Sequence, residues 1–376
     1  MRTRTRNLLF GAVAGLLASG AVTESQGCTD FRIKAADGTV IIGRTMDFEV
    51  PVLSFVRIFP RGERWSSDAP GMTKGISWTS RYGYAAIDMG GRLVDPLDRG
   101  ENLADGLNEK GLSFGWLSLP DFTAYQDQAA ATEPEKALAH LDLCPWVLGN
   151  FATVDEVKAA FAGVHVWGKP IGPVNLILPL HASVHDASGR SIVLEFTREG
   201  PKVHDNLPGV LTNAPTFDWH MINVRNFLNL KAMSAGPIKV GDSVLSPIGS
   251  GSGLLGIPGD WTPPSRFIRI AALGHFAMEP RDADGGVILA EHLLGSVTIP
   301  RGLEFVQDKG PVRANYTRWS VIKDLRNRVL YFRGYDSHSF RAIHLPRLDL
   351  RPSAKRLSVP MPRGGGVIDV TEDLRR

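Results

Sequence analysis

Residues 28–48 have the sequence Cys-Thr-Asp-Phe-Arg-Ile-Lys-Ala-Ala-Asp-Gly-Thr-Val-Ile-Ile-Gly-Arg-Thr-Met-Asp-Phe, which predicts a β-hairpin. Phe31 and Ile33 alternate with polar residues, as in a half-buried strand. The apolar residues 40–42 indicate the return strand. Asp37-Gly38 between the two segments is a strong signal for a tight hairpin turn.

The register of this hairpin decides which side chains meet at its open end. A two-residue turn at Asp37-Gly38 would place Cys28 opposite Asp47, and Phe31 opposite Arg44. Arg44 and Asp47 are three residues apart, so a regular strand puts them on opposite faces. Both side chains can reach Cys28 only if the strand bulges or ends near residues 43–45. We therefore predict such an irregularity there, which Gly43 would permit.

The segment before Cys28 has the pattern of an export signal. Arg2, Arg4 and Arg6 precede an apolar run over residues 8–22, which ends near small residues. We expect residues 1–27 to be removed, residues 28–376 to form one domain, and the protein to be periplasmic. An uncleaved membrane anchor is the alternative, but the run is shorter than the ~20 apolar residues that a span needs.

Residues 25–27, before Cys28, lack the aliphatic residue of a lipoprotein signal, and acylation of Cys28 would block its amine. Small-residue cleavage sites lie several residues earlier, so a further trimming step to Cys28 is expected, with self-catalysis as one route.

The chain has two cysteines, Cys28 and Cys144. One disulfide is the alternative interpretation for an exported protein. Cys144 lies in an apolar segment beside Pro145 and Trp146, which favours a buried thiol instead.

Charge and motif content exclude several classes of function. The net charge is +3 and the basic residues are scattered, so no nucleic-acid footprint is present. His181 and His185 form an H-x-x-x-H pattern, but in a predicted strand they would lie ~13 Å apart, which argues against a zinc site. Residues 251–256 match a dinucleotide-binding glycine pattern, yet no strand precedes them and no helix follows, so we interpret them as a loop.

The remaining pattern favours an α+β fold, because strands and helices do not alternate regularly. An apolar strand is predicted over residues 113–119, helical structure over residues 133–161 with a capping box at Thr153, and two closing strands over residues 316–324 and 329–333. A helix should begin at Pro263, with Arg266 in its first turn. Positive charge opposes the helix dipole there, and a solvated surface arginine is the alternative to a functional one.

At this point a family resemblance becomes specific. The sequence resembles the choloylglycine hydrolase and penicillin V acylase family, a branch of the N-terminal nucleophile hydrolases, and residues 1–22 and 147–154 resemble its Gram-negative branch. The motifs that carry the resemblance occur in the family's order over nearly the whole chain after residue 27: Cys-Thr at 28, Gly-Arg-Thr-Met-Asp-Phe at 43–48, Asp-Gly-Leu-Asn-Glu-Lys-Gly-Leu at 105–112, Leu-Thr-Asn-Ala-Pro at 211–215, Pro-Gly-Asp at 258–260, Ser-Arg-Phe at 265–267, Thr-Arg-Trp at 317–319 and Tyr-Phe-Arg at 331–333.

The resemblance implies a four-layer αββα sandwich that hydrolyses a linear amide without metal or cofactor. It implies that Cys28 is the nucleophile, that Arg44 and Asp47 orient it, that Asn213 donates to the oxyanion and that Arg266 is the active-site arginine. We also expect a homo-oligomer, a dimer or tetramer, with no stable membrane insertion after processing.

One position departs from the family pattern. Ser118 stands where many Gram-positive members have an asparagine, so the second oxyanion donor is open, and a backbone N–H is the substitute we expect.

The chemistry is also consistent without the resemblance. A terminal cysteine brings its own base, because the freed α-amine has a reference pKa of ~7.7–8.0 and can accept the thiol proton. A carboxylate can hold the amine, an arginine favours the thiolate, and attack on an amide gives a thioester that water hydrolyses.

We expect an apolar acyl pocket drawn from Met46, Phe48, Phe114 and Trp116, with Ser118 beside it. Each of the four apolar residues is an equally good candidate for the core. Such a pocket fits penicillin V or glycine- and taurine-conjugated bile salts, the pair to which the resemblance points, with penicillin V ahead. The alternatives are an acylase for N-acyl homoserine lactones and an exported binding protein without catalysis.

Overall fold

The structure is a computed structural model that describes residues 27–50, 52–90, 102–172, 175–307, 311–365, 367 and 370–371. Apart from Gly27, the predicted export signal and trimmed segment lie outside these residues. Within the described part of the chain, no helix is both long and apolar enough to cross a membrane.

The strands of the described residues follow one another along nearly the whole chain. They are β1 Cys28–Lys34, β2 Val40–Phe48, β3 Phe55–Phe59, β4 Arg64–Ala69, β5 Thr73–Thr79, β6 Tyr84–Asp88, β7 Leu103–Asn108, β8 Ser113–Ser118, β9 Ala137–Ala139, β10 His165–Trp167, β11 Leu180–His185, β12 Ser191–Thr197, β13 Gly200–Asp205, β14 Val210–Leu211, β15 Ile238–Val240, β16 Ser243–Leu245, β17 Glu304–Val306, β18 Arg313–Asp324, β19 Val329–Gly334, β20 Arg341–His344 and β21 Leu357–Pro360.

The α-helices of the described residues lie in two parts of the chain, within residues 127–161 and within residues 217–297. They are α1 Asp127–Thr132, α2 Leu143–Asn150, α3 Val154–Phe161, α4 Phe217–Asn223, α5 Pro263–Phe276 and α6 Ala283–Val297.

Two large antiparallel sheets form the centre of the molecule. The first has the order β14-β1-β2-β18-β19-β20, with β17 also paired to β18. The second has the order β13-β12-β11-β8-β7-β6-β3-β21. Helices α5 and α6 pack on the first sheet, and α2 and α3 pack on the second. The predicted four-layer αββα sandwich is therefore confirmed.

Apolar side chains form two main core clusters. One lies between the sheets and beneath α5 and α6, and it contains Cys28, Phe31, Met46 and Leu117. The other lies between the second sheet and helices α2 and α3, and it contains Phe114. The second sheet is thus buried on both faces, so its side chains point into two different cores.

The β1–β2 hairpin forms as predicted, but its register differs by one residue. Lys34 pairs with Val40 and Cys28 pairs with Met46, not with Asp47. Gly38 has a φ of 84° and ends a three-residue loop, in which the amide of Ala35 donates to Thr39 O at 2.8 Å. A turn of this kind, with glycine in the left-handed region, adds one residue to the loop and shifts every facing pair.

The helical interpretation of residues 133–161 is partly wrong. A short turn and strand β9 come first, and the helical part divides into α2 and α3, each eight residues long. The predicted cap is correct, because the Glu156 amide donates to Thr153 Oγ1 at 3.2 Å at the start of α3. The helix predicted at Pro263 and the strands predicted near the end of the chain are α5, β18 and β19.

Candidate active site

Cys28 is the first residue of β1 and is 5% exposed. Its nitrogen, which is here a peptide amide joined to Gly27, donates to Asn213 Oδ1 at 2.6 Å. Burial raises the pKa of the Cys28 thiol, while the positive charges of Arg44 and Arg266 oppose this effect. Both cysteines are free thiols, so the disulfide alternative is wrong.

Gly27 occupies a narrow space beside the thiol. A Cβ atom placed on it would lie 3.2 Å from Arg266 Nη2, 3.4 Å from Asp47 Oδ2 and 3.1 Å from Ile299 Cδ1. The position before Cys28 is therefore surrounded by the same charged groups that we predicted around the nucleophile.

Asp47 lies one residue beyond the end of the β1–β2 pairing, where its own backbone amide bonds to the Cys28 thiol. Its carboxyl group is buried and accepts from Thr317 Oγ1 at 2.5 Å and from Thr45 Oγ1 at 3.3 Å. Burial raises the pKa of Asp47 to about 7, although Arg266 acts in the opposite direction.

Arg44 points to the opposite face of β2, between the two sheets. Its guanidinium donates to Trp116 O, lies 3.4 Å from Asp105 Oδ2 and stacks 5.0 Å from the Trp319 ring centroid. Arg44 and Asp47 are thus on opposite faces, as regular strand geometry requires. Both interact electrostatically with Cys28 because it lies at the end of its strand.

The predicted bulge within residues 43–45 is wrong. The pairing of β2 with β1 is continuous, and the irregularity lies in β18, between Thr317 and Trp319. Gly43 has a different role, because a Cβ there would lie 2.3 Å from Phe31 Cζ. The glycine makes room for the Phe31 ring on the neighbouring strand.

Asn213 follows β14, and both the oxygen and the nitrogen of its side-chain amide form hydrogen bonds. Oδ1 accepts from the Cys28 nitrogen and from Arg266 Nη2 at 2.9 Å, and Nδ2 donates to Ser118 O at 2.9 Å. These partners set which end of the amide is oxygen. Nδ2 carries a second hydrogen, which could donate to an oxyanion.

Arg266 lies in the first turn of α5 and is fully buried, so the surface alternative is wrong. Nη1 donates to Cys28 O at 2.6 Å and to Thr29 Oγ1 at 2.7 Å, and Nε donates to Trp261 O at 2.8 Å. These acceptors offset the unfavourable position of a cation at a helix start.

The Ser118 side chain does not face the nucleophile. Its hydroxyl donates to Pro179 O at 3.4 Å, and the Leu119 amide donates to the same carbonyl at 2.8 Å. Ser118 contributes its carbonyl oxygen to Asn213 instead.

The predicted acyl-pocket residues divide into two groups. Met46 is buried in the cluster that contains Cys28, and Phe48 packs against the same cluster. Phe114 and Trp116 lie on the other face of β8, in the core beneath α2 and α3. The prediction that Phe114 and Trp116 line the pocket is wrong, because Gly115 and Leu117 are the β8 residues that face the first sheet.

Several residues that complete the site were missed as functional residues. Thr45 and Thr317 hold the Asp47 carboxyl, and Asp105 shares its carboxylate between Arg44 and Lys323, whose Nζ is 2.9 Å away. Thr317 and Asp105 are each the first residue of a motif that carries the family resemblance. Their position in these motifs is the sequence feature that could have identified them.

The strand position of His181 and His185 is confirmed, since both lie in β11. His181 contacts Glu195 and the carbonyl of Thr212, and His185 contacts Asp30. The described residues contain no cluster of three or more histidine, cysteine or acidic side chains arranged to hold a metal ion.

The chain is similar to known proteins over most of its length. The model of the choloylglycine hydrolase family, linear amide C–N hydrolases, matches residues 28–360. A bile salt hydrolase/transferase of Clostridium perfringens (strain 13 / Type A) is 33% identical over 325 residues, which are 86% of this chain and 94% of that protein.

Two solved structures have the same architecture. A variant of conjugated bile acid hydrolase from Clostridium perfringens superposes with a TM-score of 0.80 at 28% identity, over 92% of this chain and 100% of that one. Penicillin V acylase from Agrobacterium tumefaciens gives a TM-score of 0.68 at 23% identity, over 88% of this chain and 90% of that one, and so shares the fold.

Proposed function

The chain belongs to the choloylglycine hydrolase family of linear amide C–N hydrolases, and we propose that it hydrolyses the amide of conjugated bile salts or of penicillin V through Cys28. The contacts at Cys28 carry this proposal. Asn213 holds its nitrogen at 2.6 Å and Arg266 holds its carbonyl at 2.6 Å, so the terminal residue is fixed at both ends.

The reaction begins with the α-amine that forms when the chain is cut before Cys28. This amine accepts the thiol proton, and the thiolate attacks the amide carbon. The free Nδ2 hydrogen of Asn213 donates to the tetrahedral oxyanion, an effect worth about 3–4 kcal/mol in comparable sites. The protonated amine then gives its proton to the leaving nitrogen, a thioester remains, and water releases the acid.

Removal of Gly27 is the first step that we propose. Gly27 fills the space between Arg266 and Asp47, and only a free Cys28 nitrogen can act as the base. Residues 1–22 support an export signal, and we propose that the enzyme is periplasmic. Intact mass of the purified enzyme should give a chain that begins at Cys28, and an active enzyme that retains Gly27 would overturn the mechanism.

The substrate proposal rests on the apolar surroundings of the nucleophile and on the relatives. Met46 pairs with Cys28, and Phe48 packs against the same apolar cluster. These surroundings fit a steroid or phenoxyacetyl group better than a charged acyl group. The relative described as a bile salt hydrolase/transferase favours conjugated bile salts.

A panel of amides tests the substrate. Taurine- and glycine-conjugated bile salts, penicillin V and a long-chain N-acyl homoserine lactone are incubated with the mature enzyme and with Cys28→Ala as the control. We expect release of glycine, taurine or 6-aminopenicillanic acid by the active enzyme only. Cleavage of the lactone amide alone would support amide hydrolysis but refute the proposed substrates. If no amide is cleaved and Cys28 is unreactive, a binding protein would be favoured.

We also propose that the enzyme is a homodimer or tetramer, assembled through the β15–β16 hairpin. This hairpin pairs with neither large sheet, and it exposes Ile238 (62%) and Val244 (66%). An isolated two-stranded hairpin is only marginally stable, and exposed apolar patches of this kind mark interaction sites. Light scattering should give a lower mass for the double variant Ile238→Ser/Val244→Ser, and an unchanged mass would exclude this interface.

A further inference from the structure

A buried histidine–glutamate pair lies beneath the segment that carries Asn213. His181 on β11 and Glu195 on β12 are fully buried, with 3.0 Å between Nδ1 and Oε1. The other ring nitrogen of His181, Nε2, lies 3.0 Å from the carbonyl oxygen of Thr212. Both partners of the ring are therefore acceptors.

This arrangement occupies both ring nitrogens of His181. Nε2 faces the carbonyl of Thr212, and Nδ1 faces the carboxyl group of Glu195. Burial opposes the charge on Glu195, but the hydrogen bond from His181 outweighs it together with further donors and lowers the pKa of Glu195 to about 2.

Two further contacts extend the arrangement along the chain. His220 on α4 donates from Nε2 to the carbonyl of Asn213 at 2.9 Å, and burial lowers the pKa of His220 to about 4, which keeps it neutral. Its ring stacks on Phe267 of α5, with centroids 4.6 Å apart and planes 6° apart. Glu195 Oε1 also accepts from the amide of Phe217, the first residue of α4.

We propose that His181, Glu195 and His220, here called the histidine clamp, are positioning residues that fix Asn213 for donation to the oxyanion. The clamp bonds to the carbonyls of Thr212 and Asn213, and so it sets the backbone from which the Asn213 amide projects. This inference rests on the proposed role of Asn213 in amide hydrolysis. It gives the H-x-x-x-H pattern a function in which His181 holds a carbonyl and no metal.

The physical reason is the short reach of the remaining Nδ2 hydrogen. An oxyanion donor acts only when it lies within about 3 Å of the developing charge, and a displacement of about 1 Å can reduce the rate by about a hundredfold. Without the clamp, the two carbonyls and the start of α4 lose buried donors and acceptors, and the segment can shift. The thiol of Cys28 bonds instead to the backbone amide of Asp47, on β2.

The test separates oxyanion donation from nucleophile integrity. His181→Phe, Glu195→Gln and His220→Gln are measured for kcat and KM on the best-cleaved amide, for the rate of Cys28 alkylation by iodoacetamide, and for Tm. His140→Gln is the matched control, because this histidine is also fully buried and bonds to a backbone amide, that of Lys169, outside the Asn213 segment.

We expect kcat to fall by roughly ten- to a hundredfold in the clamp variants, with KM within about twofold of wild type. The alkylation rate should fall less than kcat, because Asn213 also holds the Cys28 nitrogen. His140→Gln should keep its kcat. Asn213→Ala should lose at least as much as the clamp variants, and His181→Phe should cause no further loss in that background, since residues that act through one group are not additive.

Two results would overturn the proposed positioning role of the histidine clamp. One is a kcat within threefold of wild type in both His181→Phe and Glu195→Gln while Asn213→Ala is inactive. The other is a parallel fall of kcat, alkylation and Tm, which would indicate a purely structural role. A fully active Asn213→Ala would instead refute the proposed role of Asn213 itself.

Discussion

Asp47 should make the folded state less stable as the pH rises from about 4 to about 7. Its carboxyl is buried, and its pKa is about 7 in the folded chain against an ordinary 3.8. An acid whose pKa is raised by folding binds more protons in the native state, so stability falls with rising pH between these two values. The difference corresponds to a loss on the order of 4 kcal/mol, at 1.36 kcal/mol for each unit.

The perturbation is Asp47→Asn, made in a Cys28→Ala background. This background removes the thiol titration, and protein that intact mass shows to be uncut is used, so that residue 28 keeps the peptide amide of the structure. Asparagine keeps an oxygen for the Thr317 hydroxyl, which donates to Asp47 at 2.5 Å. The two proteins should unfold with similar free energies near pH 4, and the asparagine variant should be the more stable by several kcal/mol at pH 8.

Urea unfolding at pH 4, 6 and 8 measures this difference, and the subtraction cancels the titration of groups that both proteins share. A difference that stays flat across this range would show that Asp47 does not titrate there and would refute the reasoning. In the processed active enzyme the α-ammonium lies nearby and favours the carboxylate, so the same substitution should give a smaller dependence on pH and abolish most of the activity.

Three further outcomes follow from the packing around the site. Gly43→Ala should lower the free energy of unfolding, measured with urea, by about 1–3 kcal/mol, because the new Cβ would lie 2.3 Å from the Phe31 ring. Gly274→Ala in α5 is the control. Its Cβ would meet no atom within 4 Å, so this variant should be neutral or stabilising. Asp105→Asn should cost about 3–5 kcal/mol in the same assay, because it leaves two buried cations without their shared carboxylate. Cys144→Ser should retain kcat within about twofold, since this fully buried thiol lies in the other core, and labelling in the native state should remain confined to the terminal cysteine.

The hairpin illustrates what the sequence could and could not predict. Asp37-Gly38 correctly predicted the turn and both strands. The dipeptide is compatible with a two-residue turn, which needs two left-handed residues, and with a longer loop, which needs only one. Only Gly38 has a positive φ here, so the longer loop forms and the register shifts by one. A local dipeptide cannot distinguish these cases.

The pocket prediction failed for a different physical reason. The alternation along β8 correctly predicts that Phe114 and Trp116 share one face. All six residues of the strand are buried, so no polar face marks which side meets the first sheet. The choice depends on which helices and strands cover each face. These partners come from distant parts of the chain, and spacing within one strand does not reveal them.

The candidate active-site residues could be named from the sequence because they occupy motifs, while their relative placement depends on where β1 ends. Pairing with β2 stops at Cys28 and Met46, so the chain before Cys28 leaves the sheet and Gly27 enters the space between Arg266 and Asp47. A residue attached to the Cys28 nitrogen and an amide substrate that needs that nitrogen as a base therefore exclude each other. In the proposed mechanism, cutting before Cys28 would therefore supply the base and clear the site in one step.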